Sequence, residues 1–181
     1  MSHWDETWAV ARSAEDIDEA IQMLGREISL DYVGKGSILL LTTARLSSVL
    51  YFFGALGRAI NPDLPIQMGL VDIVEADGER RVVYLDGVGG LVSGAHVILA
   101  RPLMTTGETM AFLKQQLLAD GAKSVKTCVL LDKAWRKSIV DADYIGFRVT
   151  SSVFLAGYGF DDGAGYGRLL DHLVKSEGPK K

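Results

Sequence analysis

Three short apolar runs constrain the fold of this chain more than any other feature: SILLLTT at 37–43, AHVILA at 95–100 and VKTCVLLD at 125–132. Each is shorter than an ordinary helix and lacks the polar alternation of a strand with one wet face, so each predicts a strand covered on both faces. Segments with helical spacing lie between them. Ser13 caps a predicted helix of about five turns whose apolar positions Ile17, Ile21, Leu24 and Ile28 fall on one face, and Gly34 and Gly36 supply its stop. SSVLYFFGALGRAI at 47–60 reads as a second helix, closed by NPDLP, and GETMAFLKQQLLADG at 107–121 as a third with a glycine stop. Buried strands alternating with helices predict an α/β fold with a central parallel sheet flanked by helices.

Two β-type runs, IQMGLVDIVEA and RRVVYLDG, flank Asp77-Gly78, a strong hairpin signal, and predict an antiparallel hairpin arm attached to the sheet. Further strands are expected at DYIGFRV and VFLAGY, and a last helix near 165–175. At 181 residues the chain reads as a single domain spanning 1–181, long enough to bury roughly 70% of its unfolded surface. The start, MSHWDETWAVARSAED, does not read as a signal peptide, and KSEGPKK reads as a frayed terminus. No apolar run approaches the roughly 20 residues of a bilayer span. A formal charge of −4 gives no global attraction for nucleic acid or for an anionic membrane. Cys128 cannot form an internal disulfide and reads as a small core residue, which fits a cytoplasmic location.

The chain contains neither GxxxxGK[ST] nor GxGxxG nor GxSxG, which leaves out the Walker, Rossmann and serine-hydrolase fingerprints. His3, His96 and His172 are scattered without metal-ligand spacing. MTTGETM at 104–110 sits where an apolar strand runs into a helix, at the carboxyl edge of a parallel sheet. Gly107 lets the backbone approach a phosphate, and Thr105, Thr106 and Thr109 add hydroxyl donors near the positive end of the helix dipole, although the same pattern also serves plain N-capping. Asp161 and Asp162, after GYG, read either as cation ligands or as solvated loop acids.

From about Ala9 to Leu173 the order of these pieces resembles a hypoxanthine-guanine phosphoribosyltransferase. The likeness rests on AEDIDEAIQMLGREISLDYVGKGSILLL and most specifically on SVKTCVLLDK followed by DADYIGFRVTSSVFLAGYGFDD. The resemblance implies a type I phosphoribosyltransferase fold, a parallel sheet flanked by helices with a small hood over the purine. It implies transfer of hypoxanthine or guanine to C1 of phosphoribosyl pyrophosphate with magnesium, releasing pyrophosphate. By position, Lys133 matches the lysine that donates to the purine 6-oxo group, and Phe154 matches the ring that stacks on the base. Leu155 would offer backbone groups to the purine edge, and Asp161 matches the acid that holds magnesium. Thr105, Thr106, Gly107, Glu108 and Thr109 fall on the loop that cradles the 5′-phosphate.

Departures from the family pattern are concentrated at that same loop. Where the family has two acids for the ribose hydroxyls and a third as general base, this chain has Arg101, Pro102 and Thr105. Leu46-Ser47-Ser48 replaces the family's Leu-Lys-Gly at the pyrophosphate loop, and the mobile loop's Ser-Tyr pair has no counterpart near VEADGERRVVY. The arginine expected after the magnesium acid falls on Gly167, beside Arg168. Positioned proton transfer contributes typically about 10²–10⁴-fold, and a threonine hydroxyl cannot supply it near neutral pH.

These residues support three readings. The first is a protein that keeps recognition of a 6-oxopurine nucleotide such as IMP or GMP with transfer weak or lost, catalytic residues none, acting as a sensor or partner subunit. The second is an active purine-salvage transferase, with magnesium as its cofactor. The third is a structural or partner subunit with a vestigial pocket. The resemblance further implies a homo-oligomer, or a mixed oligomer with an active relative.

Overall fold

The computed structural model describes residues 9–44, 47–133, 138–149, 153–160 and 170–176. In chain order the elements are β1 (Ala9–Arg12), α1 (Ala14–Tyr32), β2 (Ile38–Thr43), α2 (Ser47–Ala59), β3 (Ile66–Ala76), β4 (Glu79–Tyr84), a 3-10 turn (Val88–Leu91), β5 (His96–Met104), α3 (Glu108–Ala119), β6 (Ser124–Asp132), β7 (Tyr144–Arg148), β8 (Phe154–Gly157) and β9 (Leu173–Ser176). A six-stranded sheet runs β4-β3-β2-β5-β6-β7, and a separate three-stranded sheet runs β1-β9-β8. All neighbours in the large sheet are parallel except β3 and β4.

The apolar runs form the middle of this sheet, and their side chains divide by alternation. Ile38, Leu40, Ile98, Ala100, Cys128 and Leu130 face one core together with Ile17, Ile21, Leu24 and Ile28 of α1 and Phe52 and Leu56 of α2. Leu39, Leu41, Val97, Leu99, Val125 and Val129 face the other, with Leu113 and Leu117 of α3. All six residues of β2 are buried, as a strand between two apolar layers requires.

Ser13 caps α1 as its spacing predicts: its Oγ accepts from Asp16 N at 3.1 Å, and Asp16 returns the bond by accepting from Ser13 N at 3.0 Å. Asp77 and Gly78 both take positive φ, 56° and 76°, in the two-residue turn between β3 and β4. The hairpin is continuous with the main sheet, since β3 pairs in parallel with β2 from Ile38↔Ile66 to Thr43↔Val71.

Two features differ from the sequence expectation. β5 continues past residue 100 to Met104, and Pro102 is accommodated because its position has no register partner on either neighbouring strand. The helix expected near 165–175 is contradicted at its end, where Leu173–Ser176 is a strand paired with both β1 and β8; residues 161–169 lie outside the described residues. LLDHLV carries leucines at helical spacing, but Leu173 and Val174 are buried in the small sheet, and that tertiary pairing prevails over the local pattern.

At the amino edge of the sheet, Asp31 near the end of α1 accepts from Lys126 Nζ at 2.7 Å and from Tyr144 Oη at 2.6 Å, tying the helix to β6 and β7. These donors hold the Asp31 carboxyl below its ordinary value. A lowered carboxylate pKa adds stability above the unfolded-state value near 3.8 that disappears as pH falls through the folded-state value. Because the pair is partly solvated, its contribution is at most about 1 kcal/mol. Asp31→Asn is expected to lower urea stability by up to that amount at pH 7, with the difference from wild type shrinking as pH falls below 3.8; a difference that stays constant as pH is lowered would refute it.

Candidate functional site

Polar groups without partners are concentrated at the carboxyl edge of the parallel strands. Of the seven buried side-chain N and O atoms without a hydrogen-bond partner among the described residues, five lie there: Thr42 Oγ1, Thr43 Oγ1, Ser48 Oγ, Arg101 Nε and Asp132 Oδ1. The other two, on Tyr32 and His96, lie at the opposite edge. Folded interiors satisfy nearly all such groups, so a cluster of orphans marks a place built to meet something else.

The strand–helix turn forms one wall. Gly107, the N-cap of α3, has φ 78°, a left-handed conformation, and supplies no side-chain cap, while Glu108 N donates to Thr106 Oγ1 at a long 3.5 Å. A Cβ at this position would stand 2.7 Å from Val140 Cγ2 and 2.9 Å from Ser138 Oγ. The segment after β6 is fastened here by Ile139 N donating to Thr106 O at 2.9 Å. Arg101 and the Thr105–Thr109 turn bound a small cavity of about 150 Å³. It adjoins a larger cleft of about 480 Å³ lined by Thr43, Asp72, Glu75, Arg80, Arg101, Glu108 and Thr109.

Arg101 faces both cavities. Burial disfavours its charged form, and no carboxylate among the described residues pairs with it. Pro102 beside it is buried, and Thr105 is exposed at the turn. No three His, Cys, Asp or Glu side chains among the described residues converge as a metal site. Asp161, the expected ligand of the magnesium implied by the resemblance, lies outside the described residues, as do Leu46, Gly167 and Arg168.

On the other side, the structure brings Lys133 to the small sheet. Its backbone N donates to Met104 O at 2.9 Å and its Nζ to Val153 O at 2.9 Å, linking the end of β5 to the start of β8. Phe154 follows and is 47% exposed. Leu155 points the other way, into a cleft between the two sheets with Leu131 and Phe147, while its backbone pairs with Lys175. Gly159 (φ 83°) lies so close to the first turn of α2 that a Cβ would fall 2.4 Å from Ser48 Cα.

Four residues of this edge were not singled out from sequence. Thr43 and Asp132 are the polar ends of otherwise apolar strands, a visible signal; Asp72 and Arg80 lie on the hairpin strands with nothing to distinguish them from surface charges. Asp132 is 2% exposed, and burial, more than the Arg148 guanidinium 3.9 Å away offsets, raises its carboxyl above the ordinary value.

Gly107→Ala is expected to destabilise the protein by about 1–3 kcal/mol, from the left-handed backbone and the crowding at Val140. An unchanged urea midpoint would refute this account of the turn.

No protein-family model matches the chain. A hypoxanthine-guanine phosphoribosyltransferase of Aquifex aeolicus is 30% identical over 168 residues, covering 90% of this chain and 91% of that protein. One from Streptococcus pneumoniae is 30% identical over 162 residues, covering 87% of each. The bifunctional protein TilS/HprT of Listeria innocua is 30% identical over 164 residues, and the match spans 24% of its length, about a quarter. Among solved structures, a Bacillus anthracis hypoxanthine-guanine phosphoribosyltransferase with a HEPES molecule in its active site superposes with TM-score 0.77 at 25% identity, covering 92% of this chain and 95% of that one. A Trypanosoma cruzi hypoxanthine phosphoribosyltransferase in a ternary substrates complex gives TM-score 0.80 at 24% identity, covering 93% and 95%, a likeness of fold.

Proposed function

We propose a function for this chain from a plain premise: it belongs to the hypoxanthine-guanine phosphoribosyltransferase family. Its fold is the type I phosphoribosyltransferase fold, with a mostly parallel sheet flanked by helices and a small antiparallel sheet. The proposed function is binding of a 6-oxopurine nucleotide, IMP or GMP, with phosphoribosyl transfer weak or lost. The observation that carries this reading is Arg101, a cation with no ion-pair partner among the described residues, in the cleft where the resemblance calls for a ribose-binding acid. A guanidinium there repels magnesium and cannot accept from ribose hydroxyls, since it has donors only.

Recognition rests on groups that remain. The Thr105–Thr109 turn offers the start of α3 and hydroxyl donors to a 5′-phosphate. The Lys133 ammonium selects a 6-oxo acceptor over a 6-amino group, and Phe154 supplies a stacking face. Leu155 contributes backbone groups to the purine edge, and Asp161 is the proposed ligand for any magnesium. A second reading, an active transferase with a rearranged site, is favoured by Asp72, Glu75 and Glu108, three carboxylates on the wall of the same cleft. Association into a homo-oligomer, or with an active relative, is proposed from the family likeness.

Pure protein given hypoxanthine or guanine, phosphoribosyl pyrophosphate and magnesium is expected to form almost no nucleotide. Calorimetric titration with IMP and GMP is expected to show saturable binding, weakened about tenfold or more by Phe154→Ala, because base stacking is worth about 1–3 kcal/mol. Turnover above about 1 s⁻¹ that Lys133→Ala abolishes would overturn the loss of transfer. Absence of nucleotide binding would leave a structural or partner role.

A further inference from the structure

A cleft of about 210 Å³ lies between the two sheets, behind the face of the small sheet that carries Phe154. Leu155 pairs with Lys175 and Gly157 with Leu173, so alternation puts Leu155, Leu173 and Lys175 on the cleft side, with Val153 just before β8. Leu131 and Phe147 of the main sheet close the far wall. A β-bulge in β1 then adds a cation. Ala9 pairs with Lys175 and Val10 with Val174, but Arg12 rather than Ala11 pairs with Leu173. That one extra residue re-aims Arg12 onto the face of Leu173 and Lys175. Its guanidinium carbon lies 4.9 Å from the centroid of the Phe147 ring. Arg148 is the third cation of the lining, and no acid lines the cleft. Arg148 stands 3.9 Å from Asp132, whereas Arg12 and Lys175 have no ion-pair partner among the described residues.

We infer that this cleft binds a short-chain aliphatic monocarboxylate, its chain against Leu131, Leu155 and Leu173 and its head between Arg12 and Lys175. Charge complementarity names the head. Three cations face one small opening that no acid lines, and a carboxylate both relieves their repulsion and matches a guanidinium fork. The walls name the body, since apolar side chains of both sheets meet there and gain from contact with a hydrocarbon chain. Arg12 already occupies one face of the Phe147 ring, so the apolar surface that remains is mainly aliphatic. The volume lies below the roughly 300 Å³ at which sites for drug-sized ligands begin, which keeps the chain short. The inference stands apart from the nucleotide reading, because Phe154 is on the opposite face of β8 from this cleft.

The test is NMR titration of the full chain, with labelled leucine and valine methyl groups, by hexanoate, butanoate, hexanol and inorganic phosphate at neutral pH. Hexanoate is expected to bind saturably and to shift the methyl signals of Leu131, Leu155 and Leu173. Butanoate binds about tenfold more weakly, because two buried methylenes are lost. Hexanol binds at least about tenfold more weakly, because it lacks the charge-assisted head. Arg12→Gln and Lys175→Gln each weaken hexanoate severalfold. Lys175 is exposed at the rim, so its variant decides the inference should Arg12→Gln not fold. Absence of saturable hexanoate binding, or binding that leaves those leucine signals unmoved or both variants unaffected, overturns the inference. So does hexanol that binds as tightly as hexanoate, the mark of a purely apolar cavity, or phosphate that does so, the mark of a plain surface anion site.

Discussion

Enclosure of β2, β5 and β6 between two apolar layers is the constraint on which the rest of the molecule depends. Their alternating side chains feed both cores, so both faces of the sheet are committed to helices and neither is available for a polar ligand. Their edges are committed as well, because each of the three pairs with a neighbour on both sides. Polar chemistry is left with the strand ends. At the carboxyl end the apolar runs stop at Thr42-Thr43, Arg101 and Asp132, and each contributes an atom with no partner among the described residues. Thr127, the buried hydroxyl of β6, shows the contrast: it exchanges hydrogen bonds with Asp143 and is fully occupied.

The small sheet completes the edge by proximity. Lys133 is held from both sides, by Met104 O on the main sheet and Val153 O on the small one, so its position depends on how the two sheets meet. Gly159 allows the turn after β8 to lie against the backbone of α2 at Ser48, an approach any side chain would block. The purine half and the phosphate half of the proposed site are therefore joined through backbone contacts between distant segments of chain. The charge pattern sets the two halves apart: a guanidinium without an ion-pair partner among the described residues on the phosphate side, a buried carboxylate of raised pKa beside Lys133 on the other.

Much of the fold was legible because it rests on periodic signals. Ile17, Ile21, Leu24 and Ile28 on one helix face, the serine cap, the Asp77-Gly78 turn and the three apolar runs each have a local physical cause, and all take the expected form. β9 was not legible. Its four residues form a strand only because β1 and β8 lie on either side, and their own spacing favours a helix. The extension of β5 through Pro102 was hidden for a related reason, since a proline is tolerated there only where no ladder bond is required of it.

At the site, residue identity alone removes the acids: Arg101, Pro102 and Thr105 stand where the resemblance places them, and no folding can restore carboxylates to those positions. Sequence alone determined the alternation of strand and helix, the family likeness and the loss of negative charge in the loop, because these follow from residue type and local spacing. Only the tertiary structure decided that Arg101 is left unpaired, that Thr43 shares its cleft and that Asp132 is sealed beside Lys133. Burial and pairing are set by which chain segments pack together across long sequence separations, and no local pattern encodes them.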